Sequence, residues 1–125
     1  MVPALGFRQG EPYLTVGAPG GRKIVSAIPQ VIANIADQGD TPQAAIEAPR
    51  WLYGRTWGTA SRTLSLEGRY PPELAAELAG RGHEVTVGGE WDDLFGHAHG
   101  IWVAPEGGGL VGGSDPRADG GALGY

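Results

Sequence analysis

Glycine and proline punctuate this chain from end to end, at 23 and 10 of its 125 positions, without a fixed period. Spread in this way they mark turns between many short elements, because a collagen-like chain would space glycine strictly every third residue. A chain so often interrupted folds from short strands and compact helices joined by tight turns. Its length sets a single domain, residues 1–125, with one modest core. Hydrophobic residues at 41% and charged residues at 18% match a folded globular chain and exclude a disordered one.

The charge balance and residue types exclude several functions. A formal net charge of -5, a pI near 5.0 and the absence of any Lys/Arg cluster argue against a phosphate-seeking surface, so no nucleic-acid partner is expected. Without cysteine there are no disulfides, thiolate metal sites or cysteine nucleophiles, and the redox compartment stays open. The first residues, "MVPALGFRQGEPY", show no basic stretch followed by an apolar one, and no apolar run has the length to cross a bilayer.

Local patterns place the elements. "ALGFR" and "YLTVGA", separated by "QGEP", read as an antiparallel hairpin. From Arg22 to Ala36 the residues Ile24, Ile28, Val31, Ile32 and Ile35 recur at three and four, one face of an amphipathic helix that contains Pro29 and stops at Gly39. Thr41 as N-cap and Pro42 at the first position open a short second helix that Pro49 ends. Tyr53 to Ser61 lacks either period and reads as a surface loop. "RTLSLEG" alternates as a strand, "PPELAAELAGRGH" predicts a third helix, and "EVTVG", "HAHGIWVA" and "GLVGG" predict three more strands. The sum is an α+β domain, mostly antiparallel, with helices on a face.

The junction "GAPGG", Gly17 to Gly21, joins a strand to the isoleucine-rich helix. A helix N-terminus exposes N–H groups and the positive end of the helix dipole, so it stabilises negative charge. Gly20 and Gly21 are placed to aim successive N–H groups at one point, as an oxyanion hole requires; a tight strand-to-helix turn needs the same residue types. The spacing is neither the dinucleotide G-x-G-x-x-G nor a P-loop, and no cofactor is expected.

Other groups carry less. His97 and His99, two apart on a predicted strand, share a side near Asp92 and Asp93, yet a third spaced metal ligand is not evident. His83 follows a helix-ending glycine and reads as a cap or surface residue. Trp51, Tyr53 and Trp57 cluster around the irregular loop, where aromatic rings line a pocket or anchor the loop. Asp115, Arg117 and Asp119 sit close together after a strand, where an ion pair would pin the C-terminal segment. No G-x-S-x-G elbow supplies a serine nucleophile.

Taken in order, "MVPALGFRQGEPYLTVGAPGGRKIVSAIPQVIANIADQG", "EAPRW", "GHEV" and the terminal "GGSDPRADGGALGY" resemble the C-terminal portion of the small subunit of γ-glutamyltranspeptidases. The resemblance covers nearly the whole chain and is weakest from Leu52 to Thr63. It implies part of the four-layer αββα fold of the N-terminal-nucleophile hydrolases. It further implies a self-cleaving precursor whose exposed threonine attacks a γ-glutamyl amide such as glutathione, passing the acyl group to water or an amino acid. In the family the paired glycines after the proline, here Gly20 and Gly21, stabilise the oxyanion. The threonine and the groups that hold the glutamyl moiety match positions upstream of Met1, which with Pro3 resembles an internal "M-x-P". The implied partner is the upstream part of the same precursor, or a second copy by self-association, and the implied substrate is a small-molecule amide. Family members are often periplasmic or secreted, and the sequence fixes no compartment. Two departures stand out: Ala18 replaces the serine of the common "GSPGG", and the loop after "APRW" is unlike that of typical members.

Related acylases acting on other amides, and a nucleophile-free scaffold domain, are the alternative readings. On the oxyanion reading, Gly21→Pro is expected to cost the complete enzyme on the order of 100-fold in turnover with little change in folding.

Overall fold

The computed structural model describes residues 2–19, 21, 23–55, 58 and 60–124. The chain opens as a hairpin of β1 (Val2–Arg8) and β2 (Glu11–Ala18). Gln9 and Gly10 make its two-residue turn with φ of 53° and 87°, the left-handed pair that matches strand twist in such hairpins. Two helices follow, α1 (Lys23–Ala36) and α2 (Pro42–Glu47). The Oγ1 of Thr41 accepts from the N–H of Ala44 at 3.3 Å and caps α2 as its sequence predicts. Next come β3 (Trp51–Tyr53), β4 (Thr63–Leu66), α3 (Pro72–Gly80) and β5 (Glu84–Val87), then β6 (His99–Val103) and β7 (Leu110–Ser114).

Two sheets result. The first has the order β1-β2-β6-β7 and is antiparallel throughout, so everything from α1 to β5 is inserted between two neighbouring strands. The second has the order β3-β4-β5, with β4 and β5 parallel and α3 forming the crossover that parallel strands demand. Tyr53, expected in a loop, pairs with Leu64 in β3; three residues are too few to display alternation. Thr56, Trp57 and Thr59, in the same expected loop, lie outside the described residues.

The core lies between the four-stranded sheet and the first two helices. Leu14, Val16 and Ala18 alternate toward Ile24, Ile28, Val31 and Ile35 of α1, all buried. Four of the five positions that define the helix face in the sequence are these buried residues' own, and Ile32 is half-buried at the margin. On the opposite sheet face Leu5, Ile101, Val103 and Leu110 remain exposed, at 59%, 45%, 40% and 72%. A row of apolar side chains on a solvent face marks a contact surface.

Two glutamines fix the helices to sheet edges. In α2, Gln43 accepts from the Ser114 N–H at 3.0 Å and donates to the Ser114 carbonyl at 2.9 Å. In α1, Gln30 accepts from the Trp51 N–H at 3.1 Å and donates to the Trp51 carbonyl at 2.9 Å. Each side-chain amide presents one donor and one acceptor as a neighbouring strand would, so each satisfies an edge residue of β7 or β3.

Gly100 and Gly113 face each other across β6 and β7, and the fully buried Ile46 of α2 fills the space above them. A Cβ on Gly113 would stand 2.9 Å from Ile46 Cδ1 and 3.1 Å from the Gln43 nitrogen. Gly113→Ala is therefore expected to cost roughly 1–3 kcal/mol by overpacking. Gly121→Ala, where a Cβ meets nothing within 4 Å, serves as the control. Urea unfolding of both variants checks this; equal midpoints would show that α2 does not seat on Gly113.

Candidate functional site

Of the two glycines singled out at the strand-to-helix junction, Gly20 lies outside the described residues. Gly21 has φ of 59°, and its carbonyl accepts from the Ile24 N–H at 3.2 Å in the turn that starts α1. Residues with a Cβ seldom adopt that conformation, so glycine is needed here for the turn itself. Proline, fixed near φ of about -65°, does not fit it. The expectation that Gly21→Pro would spare folding is thereby corrected: that variant would break the turn as well as remove an N–H.

The junction is held from the neighbouring strands. Gly17, near the end of β2, lies between Pro3 of β1 and His99 of β6. No acidic side chain occupies the first turn of α1, so no carboxylate of that turn competes for its free N–H groups.

A second candidate is a buried network of charges. Arg50, Glu67, Asp115 and Arg117 are all buried, at 1%, 0%, 1% and 7% exposure. Arg117 meets Glu67 Oε2 at 2.6 Å and Asp115 Oδ1 at 3.1 Å, and Arg50 meets Asp115 Oδ2 at 2.8 Å. The guanidiniums spend further donors on main-chain carbonyls. Arg117 donates to Ile46 and Ala48, and Arg50 to Ile46 and Gly96. Asp115 Oδ2 also accepts from the Ala98 N–H at 2.6 Å. The network thus gathers the end of α2, the exit of β4, the approach to β6 and the segment after β7. Arg69 closes it from outside, donating to Glu67 at 2.8 Å and stacking on Trp91 with its guanidinium carbon 3.5 Å from the ring centroid.

Burial pushes the Asp115 carboxyl up, but the Arg50 charge, the N–H groups of Ala98 and Arg117 and the Arg117 charge outweigh it. The result lies below the ordinary carboxylate value. Burial lowers Arg117, yet its bond to Glu67 and the nearby charges of Asp115 and Glu67 hold it above its ordinary value. For Tyr70, burial and then the Glu67 charge raise the phenol, whose hydroxyl donates to the Pro49 carbonyl at 2.8 Å.

The expected pin between Asp115 and Arg117 is present, while Asp119 is exposed and joins no ion pair among the described residues. Sequence reading passed over Arg50 and Glu67. A signal existed for each: an arginine between Pro49 and Trp51 at a helix exit, and a carboxylate ending the alternation "TLSLE". Pairing them with residues 50 and 65 positions away needs the fold.

His97 precedes β6, and only His99 lies in the strand, so the two do not share a strand face. His99 Nδ1 stands 3.2 Å from Ser114 Oγ, and Asp92 caps the turn Asp93–Phe95 by accepting from the Leu94 N–H at 2.8 Å. His83 lines a cleft of ≈ 480 Å³ between α3 and the second sheet, with Trp51, Tyr53, Leu74 and Leu78. Trp57 lies outside the described residues.

Along its length the chain is similar to known proteins. The family model described as gamma-glutamyltranspeptidase matches residues 1–125. The chain is 40% identical over 124 residues to the glutathione hydrolase-like YwrD proenzyme of Bacillus subtilis, covering 99% of this chain and 23% of that one. It is 47% identical over 88 residues to the oxamate amidohydrolase proenzyme of Klebsiella pneumoniae, covering 70% of this chain and 16% of that one. The chain therefore spans about a fifth of the length of these relatives. Cephalosporin acylase from Bacillus halodurans superposes with a TM-score of 0.82 at 32% identity, over 98% of this chain and 22% of that one.

The charge network has a pH signature. Asp115 has a folded pKa below its unfolded value of about 3.9, so its contribution is complete above that value and is lost as pH falls through the folded pKa. Stability is expected to fall on acidification in urea titrations, and less steeply in Asp115→Asn. Glu67→Gln, which leaves Arg117 short of a charge partner, is expected to cost about 3–5 kcal/mol. A Glu67→Gln loss below about 1 kcal/mol would class the network with weak surface ion pairs.

Proposed function

The chain belongs to the gamma-glutamyltranspeptidase family, and from that premise we propose that it supplies the oxyanion-stabilising half of an amide-cleaving, acyl-transferring site. The observation that carries this reading is Gly21, held in the left-handed region between β2 and α1. Glycine at that place lets the backbone turn sharply at the helix start, and the proposed donors to the oxyanion are the N–H groups of Gly20 and Gly21.

The roles follow from acyl-transfer chemistry. A threonine hydroxyl from the upstream part of the same precursor attacks the amide carbonyl carbon, and its proton passes to the threonine α-amino group. The carbonyl oxygen becomes an oxyanion that accepts from the two glycine N–H groups. Collapse expels the amine with that proton and leaves an acyl ester, which water or an amino acid then takes up. The donor is a γ-glutamyl amide on this reading. Likeness to an oxamate amidohydrolase and a cephalosporin acylase supports a second reading in which another acyl group is transferred by the same chemistry.

The exposed face with Leu5, Ile101, Val103 and Leu110 supports the same picture, since an apolar sheet face requires cover. The upstream part of the precursor is the proposed cover, laying a further sheet on the exposed face of β1-β2-β6-β7 to complete an αββα sandwich.

The test removes one N–H and leaves the turn. Replacing the Gly21 amide nitrogen by an ester oxygen, through semisynthesis of the processed protein, keeps the freedom to adopt positive φ. Turnover of γ-glutamyl-p-nitroanilide is expected to fall about 100-fold or more in kcat, with KM little changed. Unchanged kcat would remove Gly21 from the site.

A further inference from the structure

The outer face of the four-stranded sheet changes character toward the junction. Strand register puts Leu5, Thr15 and Ile101 in one row across it, and Pro3, Gly17, His99 and Ser114 in the next, at the end where β2 leaves for Gly21. Leu5 and Ile101 are exposed apolar residues; one row further on, the face carries an imidazole and a hydroxyl. His99 Nδ1 stands 3.2 Å from Ser114 Oγ, and His99 is the one ionisable side chain of these two rows.

Glycines leave room beside the pair. Among the described residues, a Cβ on Gly17 would meet only the Val2 carbonyl oxygen at 3.7 Å and Pro3 Cα at 3.9 Å, so the space above Gly17, beside His99, is open. On the other side the segment after β7, pinned through Asp115 and Arg117, returns over the sheet. A Cβ on Gly120 would stand 3.0 Å from Ser114 Oγ and 3.4 Å from His99 Cε1. The pair is thus backed by the C-terminal segment and open toward Gly17, the first residue of the junction.

Chemistry selects a role for it. Once the upstream part of the precursor covers this face, the pair loses its water, and a buried imidazole needs a partner for each ring nitrogen. Ser114 serves Nδ1. Nε2 is left for a group that the covering layer brings to the junction end of the face, and on the acyl-transfer reading that group belongs to the threonine. Four residues separate Gly17 from Gly21, at most about 14 Å along the chain and less through a turn. A threonine attacking a carbonyl held at the junction therefore has its α-amino group at this end of the sheet.

We propose that His99, held by Ser114, positions the α-amino group of the nucleophilic threonine. The inference rests on the acyl-transfer reading of the junction. Nδ1–H donates to Ser114 Oγ, which leaves Nε2 as the acceptor for an amino N–H. As the amine takes the proton of the threonine hydroxyl it becomes an ammonium, and its bond to Nε2 strengthens through the added charge. The ammonium then gives that proton to the departing nitrogen, and the imidazole ends neutral, as it began. A protonated His99 offers no acceptor and sets a second positive charge beside the amine, so its protonation opposes the reaction. Its neighbours from β2 and β7, Gly17 and Ser114, carry no charge, and the C-terminal segment brings Gly120, with the exposed Asp119 before it in the chain.

The test follows kcat for γ-glutamyl-p-nitroanilide against pH in the processed protein. Wild type is expected to lose kcat on the acid side through two protonations, of the amine and of the imidazole. His99→Gln, whose amide oxygen still accepts, is expected to lose it through one, with an alkaline kcat within about threefold of wild type. His99→Leu is expected to lose roughly 10- to 100-fold in kcat with KM little changed, and Ser114→Ala roughly three- to tenfold. The His99→Gln profile decides the matter whether or not His99→Leu matures. A His99→Leu variant with wild-type kcat overturns this inference alone, and so does a His99→Gln profile that superposes on wild type. Failure of wild type to cleave the anilide overturns the γ-glutamyl reading and this inference with it.

Discussion

Four buried charges organise the molecule. Arg50, Glu67 and the pair Asp115 and Arg117 come from segments far apart in the chain, and all four are buried. Taking such groups out of solvent costs several kcal/mol each, recovered only if nearly every donor and acceptor finds a partner. The partners are largely main-chain: the carbonyls of Ile46, Ala48 and Gly96 and the N–H groups of Ala98 and Arg117. One consequence is directional. An apolar plug of the same volume would tolerate sliding, whereas these bonds fix the end of α2, the exit of β4 and the start of β6 in one register. Arg50 Nε, buried and without a hydrogen-bond partner among the described residues, shows that the arrangement is close to saturated and still imperfect.

The two glutamine clasps extend this logic to the helices. A helix lying on a sheet through apolar contacts alone can rotate or shift by part of a turn at small cost. Gln43 and Gln30 each lock one helix to one edge residue through paired bonds, so α2 is registered on Ser114 and α1 on Trp51. Ser114 immediately precedes Asp115, so the clasp on β7 and the charge network share a boundary. The junction at Gly21 inherits its position from both, through α1 and through the neighbouring start of β6.

Much of this was legible without coordinates. The hairpin, the isoleucine face of α1, the Thr41 cap, α3 and the C-terminal hairpin all follow from period and turn chemistry, which are local. The pairing of β5 parallel to β4 was not legible, because strand direction depends on what lies between the strands and how it packs. Tyr53 looked like loop because a three-residue strand carries no period. His97 and His99 looked like strand neighbours because the sequence cannot show where a strand begins. Asp115 with Arg117 was visible as a local pair; Arg50 and Glu67 were hidden by distance along the chain. Gly21 was the reverse case, since a glycine between strand and helix declared a special backbone, and its positive φ supplies the reason.

The insertion between β2 and β6 sets the surroundings of α1 on both of its sides. Strands β2 and β6 are adjacent in the sheet, yet the chain between them supplies both helices of the core and the entire second sheet. The first thing it builds after leaving β2 is the Gly21 turn, and the first face that turn offers is the side of α1 not committed to Leu14, Val16 and Ala18. β3 then returns to that same side and is clasped there by Gln30. A cleft beside the helix start is thus a product of topology: the inner face of α1 is consumed by the core, and its outer face is bounded by the returning strand.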